Sequence, residues 1–428
     1  MINKRNNLWL LRRFLVKDPF LISYLYLRRK EMNYLYKFIF VGIVLLSFSC
    51  NRSNKSQSFV CLPSKDSIIE LDFTYDYQSD TITCDNIIKS VYYRPLETSS
   101  KSMLGRGDII VRKVAGNYIV STGEYQFLKI KEFDKNGKYV RDIFDCEKKR
   151  NQLIEPLYWL ADDSTKIVAV IGRRKIVMYD LRKNKYSEAN VKEVPYRGAL
   201  LDDCTLVINQ LDTSNPLSGT SRIPYLYFLN LRGRFICGKY YNIDRDISFR
   251  PIPCVTVFPF EQYILKQTSY GAVFKDMYSD TIYSIRSQND IHPFCVVNRG
   301  EYKPTIDEVH DSAEEKTKKI YIVSITDSRE HLFVSYMYDN DYYTAVWNKD
   351  SQKLIAKTKL RKEEYNNSLY GYYCYMPFSF DDFEGILPID YITEDNKIYV
   401  GAKTSILENV VPNIKRGDNP VIIEITLK

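Results

Sequence analysis

Ile109-Ile-Val-Arg-Lys-Val114, Asn117-Tyr-Ile-Val-Ser121, Phe127-Leu-Lys-Ile-Lys-Glu-Phe133 and Lys138-Tyr-Val-Arg-Asp-Ile143 follow one another with turn residues between them. Each run is short and rich in β-branched and aromatic residues, the composition of a strand on a pleated, half-buried surface. Asp134-Lys-Asn-Gly137 joins the last two as a hairpin, with Asn-Gly expected at the positive-φ positions. Four strands in series with a tight outer hairpin predict a small antiparallel sheet.

The same unit recurs along the chain. Ile167-Val-Ala-Val170 and Lys175-Ile-Val-Met-Tyr-Asp180 lead into a turn at Arg182-Lys-Asn184. Tyr225-Leu-Tyr-Phe-Leu-Asn230 turns through Leu231-Arg-Gly233 into Arg234-Phe-Ile-Cys-Gly-Lys-Tyr240. Gly271-Ala-Val-Phe274, Asp280-Thr-Ile-Tyr-Ser-Ile285 and His292-Pro-Phe-Cys-Val-Val297 form a fourth copy. His331-Leu-Phe-Val-Ser-Tyr336, Tyr342-Tyr-Thr-Ala-Val-Trp-Asn348 and Lys353-Leu-Ile-Ala-Lys357 form a fifth. Lys397-Ile-Tyr-Val400 and Val421-Ile-Ile-Glu-Ile-Thr-Leu427 make a shorter sixth set. The hairpin anchors Asp134, Asp180, Asn230, Arg286 and Asn348 fall 46, 50, 56 and 62 residues apart. A drifting period near fifty with four strands per unit predicts an all-β, six-bladed β-propeller with four-stranded antiparallel blades. The sixth set is short of a blade, and Ile87-Ile-Lys-Ser-Val-Tyr-Tyr-Arg94 is expected to supply its missing strand and close the ring. Closure leaves few exposed sheet edges. A β-sandwich is the competing architecture, but its strands would not recur in fours with a matched outer hairpin.

Upstream, Phe38-Ile-Phe-Val-Gly-Ile-Val-Leu-Leu46 is an apolar run far shorter than the ~20 residues of a spanning helix. Lys37 precedes it and Ser47-Phe-Ser-Cys50 follows, which reads as a signal core running into a lipobox. The expected lipidation site is Cys50. Phe48 is bulkier than the usual lipobox residue. Met32 is a better start than Met1, so residues 1–49 are read as a targeting region with the lipoprotein signal at 32–49. Residues 50–66 are then a polar tether, and 67–428 a single propeller domain. The absence of acidic residues after Cys50 points to the periplasmic face of the outer membrane.

Charge agrees with that division. The whole chain has a formal net charge of +8, yet beyond residue 49 there are 52 basic and 51 acidic residues. A nearly neutral body argues against nucleic-acid binding. Of the nine cysteines, none stands in CxxC or zinc-type spacing. Most are read as small buried apolar residues, with Cys61 and Cys84 the best candidates for a pair.

At this point the chain resembles the six-bladed β-propeller lipoproteins of Bacteroides and relatives, similar in fold to NHL and TolB-type propellers. The resemblance covers residues 68–428. It rests on Tyr93-Arg-Pro-Leu-Glu-Thr98, Phe133-Asp-Lys-Asn-Gly-Lys-Tyr139, Ser279-Asp-Thr-Ile-Tyr283, the charged insert Lys303 to Lys319, and Asn419-Pro-Val-Ile-Ile-Glu-Ile425. The chain departs from the family at Asp145-Cys-Glu-Lys-Lys-Arg-Asn151, where relatives often carry a Gly-Pro-Gly-Glu-Tyr-like turn. It departs again at Asp381-Asp-Phe-Glu-Gly-Ile-Leu-Pro388, where an Asp-Gly-Gly stretch is common. The resemblance implies a fold and a location, and no reaction.

No catalytic motif is legible. The three histidines, His292, His310 and His331, show no metal spacing. Asp307, His310, Asp311 and Glu314 share a helical spacing that reads as a solvated face. There is no nucleophile elbow, and no metal or cofactor is expected. Tyrosine stands out at 36 residues, a ring-and-hydroxyl platform suited to glycans, peptides or proteins. Tyr370, Tyr372, Tyr373 and Tyr375, followed by Asp381, Asp382 and Glu384, are the expected ligand-facing group, because they lie in a long connection. The functional expectation is a non-catalytic, outer-membrane-tethered binding lipoprotein whose partner is an envelope glycan, peptide or protein. The alternative is an envelope hydrolase or lyase with carboxylates at the channel mouth.

Overall fold

The computed structural model describes residues 68–74, 87–105, 107–123, 127–148, 154–191, 195–201, 205–210, 226–239, 264–275, 279–305, 318–339, 341–360, 374–380 and 383–428. Residues 195, 196, 210, 239, 379, 380, 383 and 384 are described in backbone only.

Two short strands open the described chain, β1 (Ile69–Asp72) and β2 (Ile88–Pro95). The first four-stranded unit is β3 (Ile109–Val114), β4 (Asn117–Thr122), β5 (Lys129–Phe133) and β6 (Tyr139–Asp145). The second is β7 (Pro156–Asp162), β8 (Ile167–Gly172), β9 (Lys175–Asp180) and β10 (Lys185–Asn190). The third is β11 (Pro195–Leu200), β12 (Thr205–Gln210), β13 (Leu226–Asn230) and β14 (Phe235–Lys239). The fourth is β15 (Ile264–Thr268), β16 (Gly271–Lys275), β17 (Thr281–Ser287) and β18 (Asp290–Asn298). The fifth is β19 (Tyr321–Asp327), β20 (His331–Tyr338), β21 (Asp341–Asn348) and β22 (Lys353–Leu360). A hairpin of β23 (Cys374–Phe380) and β24 (Phe383–Ile389) then precedes β25 (Lys397–Ala402), the helical turn α1 (Thr404–Leu407) and β26 (Val421–Leu427). Each unit is an antiparallel meander in sequence order.

Burial explains the composition of the strands. The second strand of a unit is covered on both faces, so β8 reads Ile-Val-Ala-Val-Ile-Gly and is buried throughout. The outer β10 reads Lys-Tyr-Ser-Glu-Ala-Asn and buries only Ala189. Between them sit face-to-face cores, the dominant favourable term in folding. Ile119, Ile130 and Phe144 pack with Trp159, Val170 and Val177 between the first two sheets. Comparable clusters join the second sheet to the third, the third to the fourth, and the fourth to the fifth. Phe333, Val346 and Ala356 of the fifth pack on Cys374, Met376, Ile398 and Ile423. Tyr399 and Ile422 pack in turn on Tyr118, Val120 and Phe133 of the first sheet. Many tyrosines are used here: Tyr336 stacks on Tyr343 with ring centroids 5.2 Å apart. The arrangement is propeller-like and all-β.

The N-terminal strand pairs as the sequence suggests. β2 lies antiparallel to β26, with Val91 opposite Ile425 and Pro95 opposite Val421. A second tie was not anticipated: β1 runs parallel to β18, covering the outer edge of the fourth sheet.

The outer hairpins have a common device. The Asp134 Oδ1 accepts from the backbone N–H of Asn136 and Lys138 at 2.8 and 2.9 Å. Asp180 accepts from Arg182 and Lys183, Asn230 from Arg232 and Arg234, and Asn348 from Ser351. These are Asx turns, in which a short polar side chain replaces a backbone acceptor. Three sequence expectations need correction. Only Gly137 of the Asn-Gly pair has positive φ, at 82°, because the Asp134 cap shapes the preceding turn. In the fourth sheet the capping side chain is Ser287, bonded to Asn289 and Asp290, and not Arg286, which has no acceptor to offer. The strands β7, β11, β15 and β19 open their sheets, although the sequence reading began each of those units one strand or more later.

Among the described residues, Cys146, Cys237, Cys295 and Cys374 are in no disulfide, and no helix is long and apolar enough to cross a membrane. Cys50, Cys61, Cys84 and His310 lie outside the described residues, as does the targeting region.

Candidate functional site

Charged residues sit inside the first strands of the sheets, paired as Arg112-Lys113 in β3 and alone as Lys266 in β15. Arg112 is the one Arg in the apolar run of β3, and Lys266 interrupts Ile264-Leu-Lys-Gln-Thr268 in β15. Asp390 follows β24 directly. The fold brings these three together. Arg112 Nη2 bonds to Asp390 Oδ2, and Lys266 Nζ lies 3.5 Å from Asp390 Oδ1. The guanidinium stands 5.0 Å over the ring of Tyr391. Lys266 also donates to Thr326 Oγ1 on β19 at 2.8 Å, and Thr326 donates on to the Ile389 carbonyl at 2.9 Å. The neighbouring Gln267 donates to the Ala161 carbonyl at 3.0 Å, tying β15 to β7.

Electrostatics decide what this cluster can do. Burial pushes the Asp390 carboxyl up, but Arg112 and Lys266 outweigh that and hold it below the usual carboxylate range. Asp390 is therefore an ionised acceptor and not a proton donor at neutral pH. Burial lowers the Lys266 ammonium more than Asp390 restores it. The side chains are 14, 12 and 21 % exposed for Arg112, Lys266 and Asp390. The cluster knits the inner strands through mutual pairing.

A second polar network flanks the β19–β20 turn. Lys349 Nζ contacts Asp327 Oδ1 at 3.0 Å and the Ser328 carbonyl at 2.8 Å. Burial nevertheless pushes the Asp327 carboxyl up to about 6, and its Oδ2 has no hydrogen-bond partner among the described residues. His331 is buried, its pKa lowered mainly by that burial. His292 is half exposed beside Asp290, with 3.0 Å between Nδ1 and Oδ1.

The described surface also holds a groove of about 540 Å³, lined by Lys89, Arg329, Glu330, Glu394, Asn396 and Lys428 among others. Its volume falls within the ~300–1,000 Å³ of small-ligand sites. One wall is the end of the β2–β26 pair, another the β19–β20 turn, and the third the turn before β25. Both turns are stapled. Ser328 and His331 exchange bonds of 2.8–3.0 Å. Thr393 Oγ1 bonds Asp395 at 2.6 Å and the Lys397 amide at 3.0 Å. The Leu427 amide donates to the Asn396 carbonyl at 2.9 Å, fixing the third wall to the first. Asp395 is committed to Lys397 at 3.3 Å.

Of the residues expected to face a ligand, Tyr375 is half-buried on β23, its ring edge-on to Tyr342 at 6.2 Å. Tyr370, Tyr372, Tyr373, Asp381 and Asp382 lie outside the described residues, and Glu384 is described in backbone only. Arg112, Lys266 and Asp390 were not singled out from the sequence. The available signal was the lone Lys266 inside the short strand β15; Arg112 stands beside Lys113, and Asp390 follows β24.

Among solved structures, the chain is similar to a Bacteroides fragilis protein described as exported. That likeness has 14 % identity and a TM-score of 0.55, covering 85 % of this chain and 100 % of that one. It is a likeness of fold. A member of the DUF4221 family from Bacteroides vulgatus aligns at 12 % identity and a TM-score of 0.47, over 80 % of this chain and 97 % of its own. No curated protein matches the chain. The model of a family described as a domain of unknown function, DUF4934, matches residues 67–426, and the chain belongs to that family.

Proposed function

We propose that the chain is a lipid-anchored outer-membrane protein, facing the periplasm, whose six-bladed β-propeller binds a ligand or partner of the envelope without transforming it. Four-stranded meanders, cores that link each to the next, and the seven-stranded sheet in which β2, β26 and β25 join β3–β6 support the six-bladed, closed form. The exported Bacteroides fragilis neighbour supports an envelope address, and the lipobox reading at Cys50 supports the anchor. Glycan, peptide or protein are the partner classes.

The observation that carries the binding reading is the groove. Charged groups in the Arg112–Lys266–Asp390 cluster and in the Asp327–Lys349 pair are consumed by one another, whereas Lys89, Arg329, Glu330, Glu394 and Lys428 make no ion pair among the described residues. Charges held on stapled walls without a partner suit recognition, because little ordering cost remains to be met on binding.

The test has two arms on the full chain. Membrane fractionation of Cys50→Ala should release the protein from the outer-membrane fraction, and unchanged fractionation refutes the anchor. Thermal unfolding against envelope oligosaccharides, muropeptides and partner extracts should show a selective rise with one class. Turnover of any of them refutes the non-catalytic reading.

A further inference from the structure

We propose that the groove between the β2–β26 end, the β19–β20 turn and the turn before β25 is a binding site for a short peptide with free termini. The proposal rests on the reading of the chain as a binding protein and names the ligand class. Three observations carry it, and each concerns a different wall.

The first is a bulge. Ile88 pairs with Leu427 and Ser90 with Thr426, so Lys89 is an extra residue without a cross-strand partner. Bulges re-aim a side chain and recur beside functional sites, and this one puts Lys89 in the lining of the groove. Lys428 follows β26 on the same wall, its backbone N–H bonded to the Ile87 carbonyl at 2.8 Å. This wall presents the two ammonium groups of Lys89 and Lys428 beside the α-carboxylate of Lys428.

The second is the acidic contribution from the turns. Glu330 is half-buried and Glu394 exposed, and neither has an ion-pair partner among the described residues. Both carboxylates are therefore open to a ligand ammonium. Arg329 adds one cation beside Glu330. The groove therefore offers both signs of charge on separate pieces of backbone, which complements a ligand that itself carries both.

The third is Asn396. It holds a left-handed conformation, φ 55°, uncommon outside glycine. Its buried Oδ1 has no hydrogen-bond partner among the described residues. Most buried polar atoms are satisfied; this one is closed off from the groove, and a peptide N–H pairs with it once the side chain swings outward. A peptide supplies all three features together: ammonium, carboxylate and amide N–H. A neutral glycan supplies no charge.

The experiment titrates the full chain, in detergent, with trialanine, N-acetyl-trialanine, trialanine amide, a mixed tripeptide library and maltotriose. It is read by calorimetry and thermal midpoint. Free-ended tripeptides should bind. Blocking either end should weaken binding about fivefold, the upper range of a partly exposed ion pair. Lys89→Gln should abolish the preference for the free carboxylate and leave that for the free ammonium. Glu394→Gln should do the reverse. Both residues are exposed, and an unchanged midpoint without ligand will show that the fold is intact. Equal affinity for blocked and free peptides, or the same preferences in both variants, overturns the proposal. Binding of maltotriose with silence from every peptide overturns the peptide assignment and leaves the binding reading standing. Silence from the whole panel, and from the wider envelope screen, overturns both.

Discussion

Asp390→Asn is the most informative single change in the inner cluster. The substitution keeps the size and one acceptor but removes the negative charge on which both Arg112 and Lys266 rest. Removing one partner of a buried pair costs about 3–5 kcal/mol, because the remaining charge stays desolvated. The three side chains keep between 12 and 21 % of their exposure, so the lower end, about 3 kcal/mol, applies. An unfolding entropy of ~2.1 cal/mol/K per residue over the roughly 360 residues of the family match converts this to about a 4 °C fall in midpoint. Urea and thermal unfolding of the full chain measure it. The double variant Asp390→Asn/Lys266→Met removes one cation as well and should recover about half the loss by coupling. A loss below about 1 kcal/mol, or a double variant as unstable as the two single losses combined, would refute the view that this cluster ties the inner strands through charge.

Asp327 gives a pH signature. Its folded pKa is about 6, above the ordinary value of 3.8. The stability it contributes is therefore complete below pH ~3.8 and lost as pH rises through about 6, a change of roughly 2–3 kcal/mol. Asp327→Asn should flatten that part of the pH–stability curve; an unchanged slope between pH 4 and 6 counts against the assignment. Asn419, 2 % exposed, donates to the carbonyls of Glu97 and Ser102 and accepts from the Leu104 amide at 2.6–3.0 Å. Asn419→Ala should cost about 2 kcal/mol in chemical unfolding, since the buried Ser102 carbonyl and Leu104 amide lose their partner while the Glu97 carbonyl keeps Ser102 Oγ. At the first outer hairpin, Asp134→Ala should cost about 1 kcal/mol. Gly137→Ala should cost about 2 kcal/mol or more, because φ is 82° and a Cβ would stand 2.3 Å from the Pro95 carbonyl. Equal midpoints for these two hairpin variants would contradict the turn geometry.

The outer parts of the sheets were legible, as was β3 at Ile109–Val114, while the opening strands of the later units were not, for a physical reason. Outer hairpins carry their own chemistry: Asp134, Asp180, Asn230 and Asn348 cap turns that Gly137, Asn184 and Gly233 complete with positive φ. The first strands carry no such marks. β11 reads Pro-Tyr-Arg-Gly-Ala-Leu, with Pro and Gly that local propensity assigns to a loop. β15 reads Ile-Leu-Lys-Gln-Thr, where the charge breaks the apolar pattern. Those departures are the residues that meet other sheets. Lys266 finds Asp390, and Gly198 leaves room against Tyr158, whose hydroxyl would be 2.7 Å from an added Cβ. The groove was hidden for the same reason. Lys89, Glu330 and Glu394 are ordinary surface residues until a bulge and two stapled turns place them together. The parallel β1–β18 pair was unreadable because four residues of Ile-Glu-Leu-Asp carry no signal for the strand they will join.

The β2–β26 pair also sets the tempo of folding. Glu97 and Asn419 meet across 322 residues of sequence, and closing such a loop from an open chain costs about 5 kcal/mol by chain statistics alone. During synthesis, residues 88–95 emerge early and must wait, without a strand partner, for the final strand to arrive. The intermediate sheets can form locally as they appear, so this last pairing is the slow, length-dependent event. A chain stopped short of residue 421 would hold most of its cores yet present an open edge to its neighbours, the state in which a chaperone or a protease would find it.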